Sequence, residues 1–409
     1  VQTRAQQHFR RVRYVGPDFG RVPELSANPT RIFFASALLP DGWHDAVCVE
    51  VAGQGDIASV AVGVVPDEGT VRAGIGVPGV PNAHSHAFQR GLVGLCEKHV
   101  TANASFWSWR EQMYALVAHL TPSSFEAIAA QAYVEMLEAG FTSVAEFHYL
   151  HHASDGRPYG DLAEMSGRIL AAAQEAGIGL TLLPVLYSQG GIGGAGLDIG
   201  QRPFFNDFER YMALLSRCHS LTKEVGGRAN VAIGCAAHSL RAVGPEALKA
   251  LAAQGPSLGP LHLHVAEQAD EVKQCLAWSR KRPVAWLLDN VSVDRRWTLV
   301  HATHTTEEEL HQIVAANATV CIAPSTEANL GDGLFDAATF VELGGRLAIG
   351  TDANVRIDAA EELRWLEYGQ RLRREARHIL AEPGGSLSLI HISEPTRRTP
   401  SSDAGVGVK

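Results

Sequence analysis

The sequence predicts an α/β fold of the (β/α)8 class, a TIM-like barrel, with a small, incomplete β-domain formed by the N-terminal segment. Short apolar runs alternate with amphipathic stretches along the chain, and each run is too short for an ordinary helix. Polar residues that can bind metal or transfer protons follow several of these runs. In such a barrel these residues gather at one end, because the carboxyl ends of all strands meet there.

Eight apolar runs are expected to form the barrel strands. In chain order they are GIGVPGVPNAHSH, GFTSVAEFHYL, GIGLTLLPVLYS, NVAIGCAAHSL, PLHLHVAEQ, WTLVHATH, ATVCIAPST and GRLAIGTDAN. A doubly wound open sheet is the alternative, since GGIGGAG at residues 190–196 could suggest a dinucleotide-binding loop. No helix start follows this segment, and no acidic residue lies at the distance of a Rossmann motif. We therefore interpret it as a βα loop.

Helix signals lie between the strands. Thr121 and Pro122 predict the N-cap and first residue of a helix that ends near Ala139. Thr305 and Glu308 have the spacing of a capping box and predict the start of another helix. Further helices are expected near residues 163–176, 207–225, 245–254, 269–289, 335–343 and 360–381.

The two ends of the chain differ from the rest. Residues 1–30 lack sustained periodicity, and we expect a disordered or non-native leader. Residues 31–77 contain strand-like runs for the small β-domain, and residues 78–382 are expected to form the barrel. The string LSLIHISEPTR begins at residue 387 and matches the translation of a common sequencing adapter. We therefore interpret residues 387–409 as library read-through and expect the native C-terminus to be missing.

Composition excludes several classes of partner. Hydrophobic residues make up 46% of the chain and charged residues 19%, which is enough for a large buried core. The net charge of −9 argues against non-specific nucleic-acid binding and means that an anionic substrate needs local positive groups. The six cysteines are scattered, which indicates reduced thiols and a cytoplasmic protein. No run reaches the roughly 18 apolar residues of a membrane span, so we expect no membrane partner.

Histidines, acids and one arginine end five of the predicted strands. They are His84 and His86 on the first, His238 and Arg241 on the fourth, His262, His264 and Glu267 on the fifth, His301 and His304 on the sixth, and Asp352 on the eighth. A strand period of two places His84 and His86 on one face. We interpret His262 as a structural residue that points away from His264. A single histidine at a strand end is usually structural, but groups at five strand ends predict one shared metal site.

The pattern of these residues resembles that of the amidohydrolase superfamily, which has His-x-His after strand one, histidines after strands five and six, and aspartate after strand eight. No lysine ends the fourth strand to bridge two metals, which favours the mononuclear deaminase branch. HVAEQ places a glutamate where that branch has its proton shuttle. Within about residues 31–382 the chain resembles, more narrowly, the N-formimino-L-glutamate deiminase family of histidine degradation. The motifs are PNAHSHAFQRGLVG, FWSWREQMY, EFHYLHH, HSLRAV, HLHVAEQ, HATHTTEEE and STEANLGDGLF.

The resemblance implies one divalent ion, above all Zn2+, with the ligands His84, His86, His264 and Asp352. It implies Glu267, His301 and Asp352 as catalytic residues, with Glu267 as proton shuttle and His301 stabilising developing charge. It implies a substrate pocket of Gln89, Arg110, Tyr149, His238 and Arg241, in which the two arginines bind the carboxylates of a small dicarboxylate. The expected reaction is hydrolytic deimination of N-formimino-L-glutamate to N-formyl-L-glutamate and ammonia.

Two alternatives to this function stay open. A purine or pterin deaminase of the same superfamily would share the metal ligands, but its neutral ring has no use for two arginines. A non-catalytic barrel, or an inactive truncated one, would bind metal without needing Glu267 or His301. The sequence does not decide between a monomer and a homodimer.

Overall fold

The computed structural model describes residues 30–52, 55–96, 106–224 and 231–381. The predicted leader, apart from Thr30, and the predicted read-through at 387–409 lie outside the described residues. The chain divides into two compact units, Val1–Val77 and Pro78–Lys409.

The first unit contains a four-stranded sheet in its described part. Its strands are β1 (Thr30–Leu39), β2 (Gly42–Val51), β3 (Ile57–Ala61) and β4 (Val71–Gly76), in the spatial order β3-β2-β1-β4. β2 pairs antiparallel with both β1 and β3, whereas β1 and β4 are parallel. Phe34 and Val47 face each other across the β1–β2 pair, and both side chains are buried. This cross-strand contact helps to hold the sheet together.

The strands of the second unit are all parallel in its described part. They are β5 (Val80–Ser85), β6 (Phe141–His148), β7 (Gly179–Leu186), β8 (Val231–Ile233), β9 (Cys235–Ser239), β10 (Leu261–Val265), β11 (Trp297–His301), β12 (Thr319–Ile322) and β13 (Arg346–Ile349). The spatial order is β13-β12-β11-β10-β9-β7-β6-β5, and β8 also pairs with β7. Because β8 and β9 share the fourth position, the predicted barrel of eight strand positions is confirmed.

The barrel closes where the segment after β13 meets β5. Ser85 and Asp352 form a parallel bridge. The amide of Asp352 donates to the carbonyl of His84 at 3.0 Å, and the amide of His86 donates to the carbonyl of Asp352 at 2.9 Å. A Cβ on Gly350 would lie 2.6 Å from the carbonyl oxygen of His84, so only glycine permits this approach. The first and last strands therefore meet at three of the residues predicted as metal ligands.

Helices follow most strands, as the alternation of the sequence predicts. They are α1 (Phe106–Val117), α2 (Pro122–Glu138), α3 (Glu164–Ala176), α4 (Phe208–Glu224), α5 (Pro245–Ala253), α6 (Ala269–Ser279), α7 (Pro283–Asn290), α8 (Glu307–Ala315), α9 (Pro324–Leu330), α10 (Ala337–Glu342) and α11 (Ala359–Arg374). Short 3-10 helices span Ala87–Leu92, Ile199–Phe204 and Gly255–Leu258. No helix in the described part of the chain has both the length and the apolar character of a membrane span.

The start of α2 confirms its predicted cap, whereas that of α8 is shifted by one residue. The hydroxyl of Thr121 accepts a hydrogen bond from the amide of Ser124. At α8 the capping box is Thr306 with Glu309, so the prediction of Thr305 with Glu308 is wrong. Thr305 uses its hydroxyl to donate to the carbonyl of Ala302 at 3.0 Å. In the sequence each of these threonines precedes a glutamate by three residues, and the conformation of the turn after β11 determines which one caps the helix.

The predicted helix near 269–289 is wrong, because two helices fill this range. Arg280 adopts the left-handed conformation, with φ of 61°, and ends α6. Pro283 then begins α7, where its missing amide proton costs no hydrogen bond. The helix predicted over 360–381 also ends earlier, at Arg374, because Glu375 is left-handed.

The core positions the strand ends rigidly. Every residue of β10, β11 and β12 is buried, as expected for strands covered on both sides. The outer side packs against the helices in a large apolar core that includes Trp297 and Tyr211. Small side chains, those of Ala83, Cys321 and Ala348, form a separate buried cluster. Residues at the carboxyl ends of these strands therefore rest on a packed support.

Candidate active site

Three histidines and one aspartate converge at the carboxyl end of the barrel. Ligand atoms of His84, His86, His264 and Asp352 all lie within 4.8 Å of one another, and all four residues are buried. Oδ1 of Asp352 is 3.3 Å from Nε2 of His84 and 3.2 Å from Nε2 of His86. Nε2 of His264 is 3.0 Å from Nε2 of His84. The four residues predicted as metal ligands thus form one candidate metal site.

Hydrogen bonds behind two of the rings orient them toward this site. Nδ1 of His86 lies 2.9 Å from the carbonyl oxygen of Phe147, and Nδ1 of His264 lies 2.9 Å from that of His238. An Nδ1–H that donates to a carbonyl leaves the lone pair of Nε2 free for a metal.

The protonation states fit a divalent cation. Burial lowers the pKa of His84 to about 4 and that of His264 well below its ordinary value. Burial alone would raise the pKa of Asp352, but the adjacent rings of His84 and His86 outweigh it and hold that pKa well below its usual range. Neutral imidazoles with one carboxylate are a donor set that suits borderline-soft ions such as zinc.

Glu267 and His301 lie beside the candidate metal site. Nε2 of His301 is 3.9 Å from Oε1 of Glu267 and 3.8 Å from Oδ2 of Asp352. Burial alone would lower the pKa of His301, but Glu267, Glu327 and Asp352 together raise it to about 10. These two residues can therefore hold or move a proton next to the four ligands.

The backbone at these strand ends is strained. His301, Ala302 and Asp352 have φ angles of 68°, 48° and 45°, in the left-handed region that favours glycine. Such conformations cost on the order of 1–3 kcal/mol each and persist where the surroundings impose them. The strain lies at two of the residues predicted to be catalytic.

A pocket opens beside the candidate metal site. It is lined by all five predicted substrate residues, namely Gln89, Arg110, Tyr149, His238 and Arg241. Three residues of the candidate metal site and its two neighbours also line it, namely His86, His264, Asp352, Glu267 and His301. Aromatic side chains form much of the remaining wall, namely Phe106, Trp107, Trp109, Tyr114, Tyr187 and Phe204. The glycine-rich loop after β7 contributes Gly190 and Gly191, which agrees with its interpretation as a βα loop.

Two arginines face this pocket. The guanidinium carbon of Arg110, on α1, lies 4.4 Å from the ring centre of Trp107 and 5.5 Å from that of Tyr114. Nη2 of Arg241 lies 3.2 Å from Oε2 of Glu267. The pocket therefore holds two fixed positive charges in a chain whose net charge is negative.

The other predicted substrate residues present neutral polar groups. The amide of Gln89 donates to the hydroxyl of Tyr149 at 2.7 Å, and burial raises the pKa of that hydroxyl well above its usual value. Burial, with a further contribution from Arg241, holds the pKa of His238 well below its ordinary value. These side chains can form hydrogen bonds without adding charge.

Three buried carboxyl groups around this site are absent from the predicted set. Oε1 of Glu327 lies 3.2 Å from Nδ1 of His301, and Oε2 of Glu271 lies 3.8 Å from Nε of Arg241. Burial, followed by Glu267, raises the pKa of Asp332 to about 8. Glu327 and Asp332 both belong to the motif STEANLGDGLF, which was the available signal. Neither lies directly at a strand end, which is where active-site residues are expected in a barrel.

The expectation that His262 points away from His264 is wrong. Residues two apart on a strand share a face, so the period of two places both side chains on the same side of β10. His262 is fully buried, and burial and then the neighbouring His84 lower its pKa to about 3. Neither ring nitrogen has a hydrogen-bond partner among the described residues.

Known proteins resemble this chain along most of its length. The profile of the Amidohydrolase family matches residues 75–386. The formimidoylglutamate deiminase of Pseudomonas aeruginosa is 50% identical over 349 residues, which is 85% of this chain and 76% of that protein. A crystal structure of an amidohydrolase from Brucella melitensis superposes with a TM-score of 0.85 at 48% identity, covering 89% of this chain and 81% of that one.

More distant relatives have other substrates in their names. The 8-oxoguanine deaminase of Pseudomonas aeruginosa is 28% identical over 395 residues, which is 93% of this chain and 84% of that protein. An adenosine deaminase from Xanthomonas campestris, crystallised with bound zinc, has a TM-score of 0.68 at 20% identity and covers 86% of this chain and 76% of that one. At this identity the second likeness concerns the fold alone.

Proposed function

Because the chain belongs to the amidohydrolase family, we propose that it hydrolyses the formimino group of N-formimino-L-glutamate, forming N-formyl-L-glutamate and ammonia. One observation carries the proposal: two arginines, Arg110 and Arg241, line the same pocket as the candidate metal ligands. The two arginines match a substrate with two carboxylates, and the candidate metal ligands match a C–N bond that is to be hydrolysed. The name of the Pseudomonas aeruginosa relative, 50% identical, supports the same substrate.

We propose Zn2+ as the ion, held by His84, His86, His264 and Asp352. A zinc ion at such a site acts as a Lewis acid and lowers the pKa of water to about 7, so that hydroxide is available near neutral pH.

Glu267 is the proton shuttle in this proposal. Hydrolysis adds the oxygen of water to the formimino carbon, breaks the bond to the terminal nitrogen and leaves a formyl group on the glutamate nitrogen. Glu267 carries both protons of the attacking water to the departing nitrogen, one as the carbon–oxygen bond forms and one as the carbon–nitrogen bond breaks, and this nitrogen leaves as ammonia. Nε2 of His301, 3.9 Å from Glu267, stabilises the negative charge that develops on the oxygen.

Arg110 and Arg241 bind the two carboxylates of the substrate. The guanidinium fork forms paired hydrogen bonds with a carboxylate, which a point charge cannot do. Gln89, Tyr149 and His238 complete the pocket with neutral hydrogen-bonding groups. A purine ring, such as that in the name of the 28% identical relative, gives neither arginine a counter-charge.

Ammonia release measured on a panel of substrates tests this function. The chain is incubated with N-formimino-L-glutamate, 8-oxoguanine and adenosine, and the zinc content of the same sample is measured. We expect ammonia from formiminoglutamate alone, together with N-formyl-L-glutamate identified by mass. Release from a purine alone would assign the chain to the purine deaminases, and no release from a zinc-loaded sample would contradict the proposed function.

A further inference from the structure

His301 is held from behind by a carboxylate that does not line the pocket. Oε1 of Glu327 lies 3.2 Å from Nδ1 of His301, and both side chains are buried. Glu327 is absent from the residues that line the pocket. Glu327 therefore contacts the pocket only indirectly, and His301 is a lining residue that its side chain binds.

The start of α9 fixes the position of Glu327. Its Oε1 also accepts a hydrogen bond from the amide of Ala323 at 3.1 Å. Its backbone carbonyl accepts from the amide of Asp332 at 2.9 Å. Because α9 begins two residues after β12, the carboxylate is tied to the end of a barrel strand.

A hydrogen-bond acceptor next to Nδ1 determines the tautomer and the orientation of the His301 ring. A carboxylate that faces Nδ1 keeps a proton on that nitrogen and fixes the plane of the ring. Nε2 is then the atom directed toward Glu267 and Asp352, at 3.9 and 3.8 Å. The left-handed backbone of His301, with φ of 68°, also shows that its surroundings hold it in place.

We propose that Glu327 is a positioning residue, which binds Nδ1–H of His301 and thereby directs Nε2 toward the reacting atoms. The inference rests on the role of His301 in the proposed function and adds a residue that does not line the pocket. The carboxylate acts through its acceptor oxygen, so a neutral acceptor of the same length can replace it.

A double-mutant cycle on zinc-loaded protein tests the pairing. The parent chain, E327A, H301A and H301A/E327A are compared by kcat and KM for formiminoglutamate and by zinc content. In the parent background we expect E327A to lower kcat about 10- to 100-fold, as loss of an orienting partner does elsewhere, with little change in KM. In the H301A background the same change should alter kcat by less than about twofold, since nothing remains to be oriented. All four chains should hold equal zinc.

Two conservative variants carry the same test if E327A does not fold. E327Q keeps an acceptor oxygen in reach of both His301 and Ala323, so its kcat should stay close to that of the parent. E327D keeps the charge but withdraws the carboxylate by one methylene, so its kcat should fall nearly as far as that of E327A. The reverse order of these two variants would overturn the proposal.

The outcomes separate the positioning role from the proposed function. Loss of kcat by the same factor in both backgrounds would show that Glu327 acts on the fold and would overturn only its positioning role. Parental kcat in H301A would overturn the proposal together with the role assigned to His301.

Discussion

Arg241 and Glu267 form an ion pair inside the pocket, with Nη2 of the arginine 3.2 Å from Oε2 of the glutamate. Behind the arginine, Oε2 of Glu271 lies 3.8 Å from Nε. A guanidinium has five N–H donors in a fixed fork, so it can contact Glu267 and a substrate carboxylate together. One side chain thus joins the proposed proton shuttle to the proposed recognition of substrate.

Replacing Arg241 by methionine should weaken substrate binding while leaving the metal in place. A paired, charge-assisted contact contributes about 3 kcal/mol, so R241M should raise KM by about 100-fold. The measurement is steady-state ammonia release, with zinc analysis of the same sample. R364M is the matched control, because the side chain of Arg364 is 56% exposed and contacts only Glu361 among the described ion pairs. An unchanged KM in R241M would refute the role of this arginine.

Replacing Glu267 by glutamine should stop proton transfer and spare metal binding. General acid–base catalysis contributes roughly 10²- to 10⁴-fold, so kcat of E267Q should fall within that range at unchanged zinc content. E246Q serves as control, since the side chain of Glu246 is 89% exposed. Turnover of E267Q at the parental rate would exclude Glu267 as the shuttle.

Replacing Asp352 by asparagine should remove the metal and keep the barrel closed. The contacts that close the barrel use the backbone of Asp352, whereas the candidate site uses its carboxylate. D352N should therefore bind zinc at least about 10-fold more weakly, and its Tm should no longer rise when zinc is added. H219Q, a change on α4 away from the cluster, should keep the zinc response of the parent. If D352N holds zinc as tightly as the parent does, Asp352 is not a ligand.

The buried His151 should make the fold less stable in acid. Burial, followed by His152, lowers its pKa to about 3, against about 6.5 in an unfolded chain. Between these two values the unfolded state binds a proton that the folded state does not, so stability falls as the pH falls through this window. In H151Q, which can still donate to the carbonyl of Val185, the slope should be shallower by up to about 1.4 kcal/mol per pH unit.

Urea unfolding at several pH values between about 4 and about 6.5 measures this slope. Parent and H151Q are compared at equal zinc content, so that metal binding contributes equally to both. Identical slopes would mean that His151 is charged in the folded protein or that it does not titrate over this range.

The candidate metal site could be predicted from sequence because barrel topology brings the ends of distant strands together. Each of the four ligands lies in a strand or within three residues of its end, and the carboxyl ends of parallel strands meet at one rim. Arg110 is different, because it lies on α1, and strand spacing gives no reason to bring it to the pocket. Only the motif FWSWREQMY suggested it.

Glu327 and the capping residues of α8 show why the rest could not be predicted. The helix that carries Glu327, α9, has seven residues, too few for a helical period to stand out. At α8 two adjacent threonines each precede a glutamate by three residues, so local chemistry cannot choose between Thr305 and Thr306. The face of His262 could have been predicted, since the strand period alone places it with His264.

The seam that closes the barrel has a consequence for biosynthesis. His84 and Asp352 come from its first and last strand positions, so a nascent chain halted before Asp352 would carry imidazoles without the carboxylate that completes them. Its first strand would also expose an unpaired edge, which invites aggregation. The candidate metal site can therefore be completed only late in synthesis, after the ribosome has delivered nearly the whole barrel.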